Sequence, residues 1–310
     1  MRVLSLTSNA EARFYVQQVA TLRDRGVDVT TVSVPGNQFA SQSEQRTRTP
    51  LAYLRFVPTV LRHARGNYDL VHANYGLTAP AALPQFRLPV VLSLWGSDLM
   101  GSFGWVGSAA ARWCDEVVVM SDRMADRLGR PCHVIPHGVN LDRFRPHPQE
   151  DATTEVGWSD DVRHVFFPYA KDRPVKNYPL AERVVDAVDD VLDEEVRLRT
   201  VTGVPHDRMP YYYNAADALL LTSRYEGSPN SVKEAMACNL PVVSTDVGDV
   251  SERLAGVTQS RVCDSEAELV ATLANVLSGD QHSNGREQIR DLDIDRTSER
   301  LETVFERALV

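Results

Sequence analysis

Apolar residues fall along this chain in short runs separated by longer stretches of helical spacing. Residues 3–6, 27–34, 70–73, 90–94, 116–120 and 133–135 are Val- and Leu-rich runs of the length that forms buried strands. Between them apolar positions recur with a helical period, as in residues 11–25, which stop at Gly26. After residue 145 the rhythm starts again. Strands are predicted at 165–167, 196–201, 218–221 and 242–244, and helices at 179–191, 210–216 and 231–238. Strands alternating with helices imply right-handed βαβ units and parallel sheets. The Pro-rich connector 140–148 divides the chain into doubly wound domains at 1–145 and 146–296, followed by an amphipathic helix at 297–310. Ligands of open α/β sheets sit outside the carboxyl ends of the strands, so both domains are expected to turn binding loops into a shared cleft.

A length of 310 residues suits two such domains, and 43% apolar with 24% charged residues is ordinary for a globular protein. No run of about 18 apolar residues is available to span a bilayer. The first residues enter a strand pattern without the apolar core of a signal peptide, which points to the cytoplasm. Cys114, Cys132, Cys238 and Cys263 form no C-x-x-C pair and lack a histidine cluster, so reduced thiols are expected and structural zinc is not. Charge is uneven. Residues 1–145 carry 16 arginines, no lysine and 11 acids, a net +5, whereas the remainder carries −14. The acidic second half argues against nucleic acid as a partner.

The chemistry concentrates at residues 222–249, TSRYEGSPNSVKEAMACNLPVVSTDVGD. A loop with Glu226, Gly227, Ser228, Pro229 and Asn230 leads into a helix near Ser231 that carries Glu234. Amides at a helix start favour anions and hydroxyls, and carboxylates accept paired hydrogen bonds from sugar hydroxyls. Ser231 and Glu234 also match a capping box, in which Glu234 would only close the helix start. A second cluster lies in residues 166–177, FFPYAKDRPVKN. There Arg173 and Lys176, with Lys171 a weaker candidate, follow a buried strand and could hold a diphosphate. Taken alone it also reads as a solvated basic loop. The D-x-D matches at 291–295 precede a surface helix and read as a solvated acidic face.

The first passage resembles the signature of the family 4 retaining glycosyltransferases, whose two Rossmann-like domains form the GT-B fold. Glu226 and Glu234 match that family's two glutamates, with seven residues between them. Residues 134–144 (VIPHGVNLDRF), 69–72 (DLVH) and 96–98 (GSD) resemble further landmarks of the family. The resemblance implies that Glu234 binds the donor ribose, and that Glu226 and the following amides meet the transferred sugar. It also implies that Arg173 and Lys176 hold the diphosphate. On the acceptor side it points to Asp98, His72, Trp95 and His137. Trp95 stands where many members have a histidine. His72 is equally suited to packing at the strand end, and Asp98 to a base or to a structural cap. Thr7-Ser8-Asn9-Ala10 replaces a common glycine pair, and Asn239 a common glycine.

The expected function is transfer of a hexose-type sugar from a nucleotide sugar, UDP first and GDP second, to a glycan or lipid-linked acceptor. Retention of configuration is expected, without a metal or other cofactor. The alternatives are a nucleotide-sugar epimerase or hydrolase of the same fold, and a non-catalytic nucleotide-sugar-binding protein. Residues 46–65 add a membrane expectation. Arg46, Arg48, Arg55, Arg62 and Arg65 accompany a helical repeat of Leu51, Leu54, Val57 and Leu61, with Pro58 expected to kink or delay the helix. Such a segment suits peripheral contact with the inner membrane face, although a core-facing helix with solvated arginines is the commoner outcome for an amphipathic pattern. Residues 35–50, with one large apolar side chain at Phe39, read as a mobile loop.

Overall fold

The computed structural model describes residues 1–36, 50–279 and 282–310. The loop expected at 35–50, together with Arg46 and Arg48, lies mostly outside the described residues. The chain forms two units. Unit 1 is Met1–Gly138 with Ile294–Val310, and unit 2 is Val139–Asp293.

Unit 1 holds a six-stranded parallel sheet of β1 (Arg2–Thr7), β2 (Asp28–Ser33), β3 (Leu70–Asn74), β4 (Val90–Ser93), β5 (Glu116–Val119) and β6 (His133–Val134). Their order is β2-β1-β3-β4-β5-β6. β3 and β4 are buried along their whole length, as their continuous apolar runs require in a sheet covered on both faces. The order reverses between β1 and β3, so the crevice of this sheet opens beside Asn74 and Tyr75.

The helix Pro50–His63 begins at its first proline and runs through Pro58, so the expected delay does not occur. The carbonyl that loses its donor to Pro58 belongs to Leu54, on the exposed side of the helix. The expected apolar stripe is also rotated. Phe56 and Val60 enter the core with Val57 beside them, while Leu51 and Leu54 face outward with Arg55, Arg62 and Arg65.

Unit 2 holds β7 (Arg163–Phe167), β8 (Val196–Thr200), β9 (Ala218–Leu221), β10 (Val242–Thr245) and β11 (Arg261–Cys263), all parallel. The order β11-β10-β9-β7-β8 reverses between β7 and β9. The three-residue edge strand β11 is too short and too polar to register as an apolar run.

The last helix starts at Ile294, earlier than its apolar pattern alone indicates, and it belongs to unit 1. Its stripe of Leu301, Val304 and Phe305 is buried in the unit 1 core, with Phe305 edge-on to His72 at 4.9 Å. Unit 1 closes at Gly138, ahead of the connector. A Cβ there would lie 2.3 Å from Thr297 Oγ1 and 2.5 Å from the Ile294 backbone, so glycine alone admits the returning helix. Asn239 takes the left-handed conformation (φ 58) after the helix Asn230–Ala237, the role its glycine counterpart would fill.

Candidate active site

At the switch point of unit 2 the loops after β7 and β9 lie side by side. They are joined through the backbone of Val175 and Lys176: Thr222 Oγ1 donates to the Lys176 carbonyl at 3.0 Å, and Arg224 N donates to Val175 O at 2.9 Å. Lys176 is buried at the end of the 3-10 turn Pro174–Lys176. Its ammonium pairs with the carboxylate of Glu226 and lies 3.8 Å from the centre of the Tyr169 ring. Glu226 also accepts from Ser223 Oγ at 2.7 Å.

The loop beyond Glu226 is pinned from below. Ser228 Oγ donates to Asp249 at 2.8 Å, and Arg253 Nε holds the same carboxylate oxygen at 3.0 Å. Gly248 approaches Gly227 so closely that a Cβ would sit 2.6 Å from the Gly227 carbonyl. Lys233 is buried beside Asp249, and burial pushes its ammonium down to about 8.

Pro229 precedes the helix Asn230–Ala237 and caps it with no side-chain bond. Ser231 therefore stands inside the first turn, where its hydroxyl meets the Tyr169 hydroxyl. Glu234 turns away from the helix start. It accepts from Tyr213 OH at 2.7 Å and from His206 Nε2 at 3.0 Å. This geometry removes the capping-box reading. Arg143 Nη1 lies 3.3 Å from His206 Nδ1, which marks Nε2 as the protonated nitrogen. Burial and the facing Glu234 push the Tyr213 phenol up, so it remains a donor.

Lys176, Glu226, Ser231 and Glu234 are thus tied into adjoining networks. Arg173 is exposed three residues before Lys176, and Lys171 is exposed over the Tyr178 ring at 4.6 Å. Sequence reasoning missed Tyr169, His206, Tyr213, Ser223 and the exposed Arg224. Of these, Tyr169, Ser223 and Arg224 carried a local signal, since each lies inside one of the two recognised passages, whereas His206 and Tyr213 lie outside both.

In unit 1 the landmarks separate. Asp98 is buried and accepts from Gly76 N at 2.7 Å, Trp95 N at 2.8 Å and Gly96 N at 2.9 Å. Its carboxylate organises the turn that follows β4, which is the capping alternative. His72 is 1% exposed, bonded to Ser93 Oγ at 2.8 Å, and burial pushes its imidazole down to about 3. It is a neutral core residue and does not line an acceptor surface. Trp95 and His137 do come together at the carboxyl edge of the sheet. Phe14 stacks on His137 at 4.3 Å and meets Trp95 edge-on at 4.5 Å, while Trp95 Nε1 donates to Asn74 Oδ1 at 2.8 Å. Tyr75 joins this group in a strained backbone conformation, φ 153.

Among the described residues no group of three or more His, Cys, Asp or Glu side chains is arranged to hold a metal ion. All four cysteines are free thiols. No described helix is long and apolar enough to cross a membrane.

Comparison with known proteins agrees with this architecture. Residues 12–143 match the family described as Glycosyltransferase Family 4, and residues 179–279 match Glycosyl transferases group 1. The lipopolysaccharide core biosynthesis mannosyltransferase LpsB of Rhizobium meliloti is 28% identical over 228 residues, covering 64% of this chain and 62% of LpsB. A D-inositol 3-phosphate glycosyltransferase of Streptomyces bingchenggensis is 25% identical over 251 residues, covering 60% of this chain and 53% of that protein. The chain thus spans between half and two thirds of the length of these curated relatives. Among solved structures, sucrose-phosphate synthase of Thermosynechococcus elongatus has a TM-score of 0.80 at 18% identity, over 99% of this chain and 98% of that one. Anabaena HepE in complex with UDP-glucose has a TM-score of 0.68 at 15% identity, over 99% of each chain. With the paired glutamates in place at the switch point of a Rossmann-like unit, this chain belongs to the group 1 glycosyltransferases of family 4, on a GT-B fold.

Proposed function

We propose that the protein transfers a hexose from a nucleotide-sugar donor to a glycan or lipid-linked acceptor, with retention of configuration. The observation that carries this reading is the placement of Glu234. It is held by Tyr213 and His206, is released from any capping duty, and shares its helix with Ser231, which bonds the tyrosine beneath the Lys176 ammonium. The ribose hydroxyls would bond Glu234. The diphosphate would meet Lys176, with Arg173 and Arg224 at the rim and the amides of Gly227–Ser231 at the start of the helix. Charge growing on the leaving diphosphate is then met by fixed cations, the task a divalent ion performs in other enzymes. Glu226 would accept from hydroxyls of the transferred sugar. The acceptor oxygen would bond the anomeric carbon on the face that the diphosphate leaves, through an oxocarbenium-like state, and no protein nucleophile is assigned.

HepE is described in complex with UDP-glucose, which supports UDP as the first donor nucleotide, with GDP second. LpsB is named for lipopolysaccharide core biosynthesis, which supports an envelope glycan as the acceptor class. Outward Leu51 and Leu54 beside Arg55, Arg62 and Arg65 support a peripheral contact with an anionic inner membrane face.

The test is a thermal-shift panel of UDP, GDP, ADP and their sugars, because a ligand of the folded state raises its melting temperature. The anomeric configuration of the product is then read by proton NMR. Stabilisation by a nucleotide sugar with transfer to an acceptor supports the reading. Turnover of the donor in the absence of any acceptor would favour a hydrolase or epimerase instead.

A further inference from the structure

Tyr169 stands two residues beyond the end of β7, after Pro168, and its ring and its hydroxyl serve different elements. The ring carries the Lys176 ammonium, 3.8 Å from its centre. The hydroxyl reaches Ser231 in the first turn of the helix Asn230–Ala237. Phe167 fixes the ring from its edge, 5.2 Å away at 82°. Tyr169 therefore links the loop bearing the buried lysine to the helix bearing Glu234.

The two partners of Lys176 differ in kind. Glu226 binds the ammonium through directed N–H bonds and competes with any phosphate for the same hydrogens. An aromatic face attracts the charge through its quadrupole and leaves those hydrogens free. A lysine stem has four carbons and high rotamer entropy, so an ammonium released by Glu226 needs another hold to stay in place.

We propose that Tyr169 is a positioning residue for the diphosphate. Its ring keeps the Lys176 ammonium at the switch point while the carboxylate of Glu226 gives it up to the phosphates. Nucleotide binding then frees Glu226 for the sugar, so occupation of the phosphate site prepares the sugar site. The inference rests on the donor reading given above.

The experiment compares UDP with UMP by calorimetric titration of the full chain, in wild type, Y169F, Y169L, K176A and Y169L/K176A. Expected is a loss of about 3- to 30-fold in UDP affinity for Y169L, the range of a desolvated cation–aromatic contact. UMP affinity should hold, Y169F should recover most of the loss, and Y169L should add nothing in the K176A background. Equal losses for UDP and UMP, or a Y169F as weak as Y169L, would overturn the proposal and leave the donor reading standing. If wild type binds no nucleoside diphosphate (GDP and ADP included), the donor reading itself falls and takes this proposal with it. Should Y169L fail to fold, phenylalanine with one, two and three fluorines at position 169 keeps the shape and drains the ring. UDP affinity should then fall stepwise, and a flat series would overturn the proposal.

Discussion

The hydroxyl of Tyr213 donates to the carboxylate of Glu234 across 2.7 Å, from a helix 21 residues upstream. With His206 on the other oxygen, Glu234 is oriented before any ligand arrives. Glu234→Ala should weaken nucleotide binding by about 1.5–3 kcal/mol, the scale of a hydrogen bond to a charged group. Tyr213→Phe should cost less, since the carboxylate remains. Isothermal titration with UDP checks both, and circular dichroism checks the fold. Unchanged affinity in a folded Glu234→Ala protein would remove this residue from the donor site.

Lys176 and Arg173 should separate in mutagenesis. Lys176 is buried against Glu226, whereas Arg173 is exposed to solvent, where charge is screened. Lys176→Ala should lower kcat roughly a hundredfold or more, because it removes charge stabilisation that grows in the transition state. Arg173→Ala should lower it by a smaller factor. Both are read from initial rates, in the presence and absence of EDTA. The chelator should leave wild-type activity in place, and an activity that needs added Mg²⁺ or Mn²⁺ would contradict the assignment of charge neutralisation to side chains.

His72 should give unit 1 an acid-sensitive stability. Its imidazole is held neutral down to about 3, while in the unfolded chain it titrates at its ordinary 6.5. Between those values the unfolded state binds a proton that the folded state refuses. The contribution is whole above about 6.5, declines as the pH falls, and levels off near 3. At pH 5 the loss is about 2 kcal/mol relative to pH 7. His72→Gln keeps a partner for Ser93 and lacks the titration. The fall in urea midpoint from pH 7 to pH 5 should be smaller in that variant, and equal falls would refute the assignment.

The outward face of the helix Pro50–His63 should bind anionic vesicles more than neutral ones, and less at high salt. Basic residues near such a surface contribute about 1 kcal/mol each. Leu54→Asp, at a position 67% exposed, should reduce co-sedimentation without destabilising the core. Equal partition into both vesicle types, or none, would leave Leu51 and Leu54 as ordinary surface residues.

Periodicity sufficed for the central strands of both sheets, because parallel strands buried on two faces are written as apolar runs, but not for the short polar edge strand β11. It could not decide the roles of single polar residues within them. His72 lies in such a run, and nothing local separates a core histidine from one at a ligand. Glu234 was ambiguous for another reason. S-x-x-E fits a cap and a site equally well, and the choice turned on Pro229 taking the cap position. Its partner Tyr213 is one of three consecutive tyrosines, and only the phase of a packed helix selects it. Leu51 and Leu54 fell on the wrong side of their helix because Phe56 and Val60 offered a competing stripe roughly 135° away. The final helix was legible as amphipathic, but its destination was not, since the apolar face it covers lies in strands more than 170 residues upstream.

That last helix sets an order of events during synthesis. Unit 2 is one continuous stretch and can fold as soon as it clears the ribosome. Unit 1 has all six strands by then, yet Leu301, Val304 and Phe305 have not been made. At about 5–20 residues per second, translating residues 139–293 holds that face of the sheet open for roughly 8–30 s. Of the two units, the one translated earlier is finished later, so its sheet is the one that waits longest for its cover.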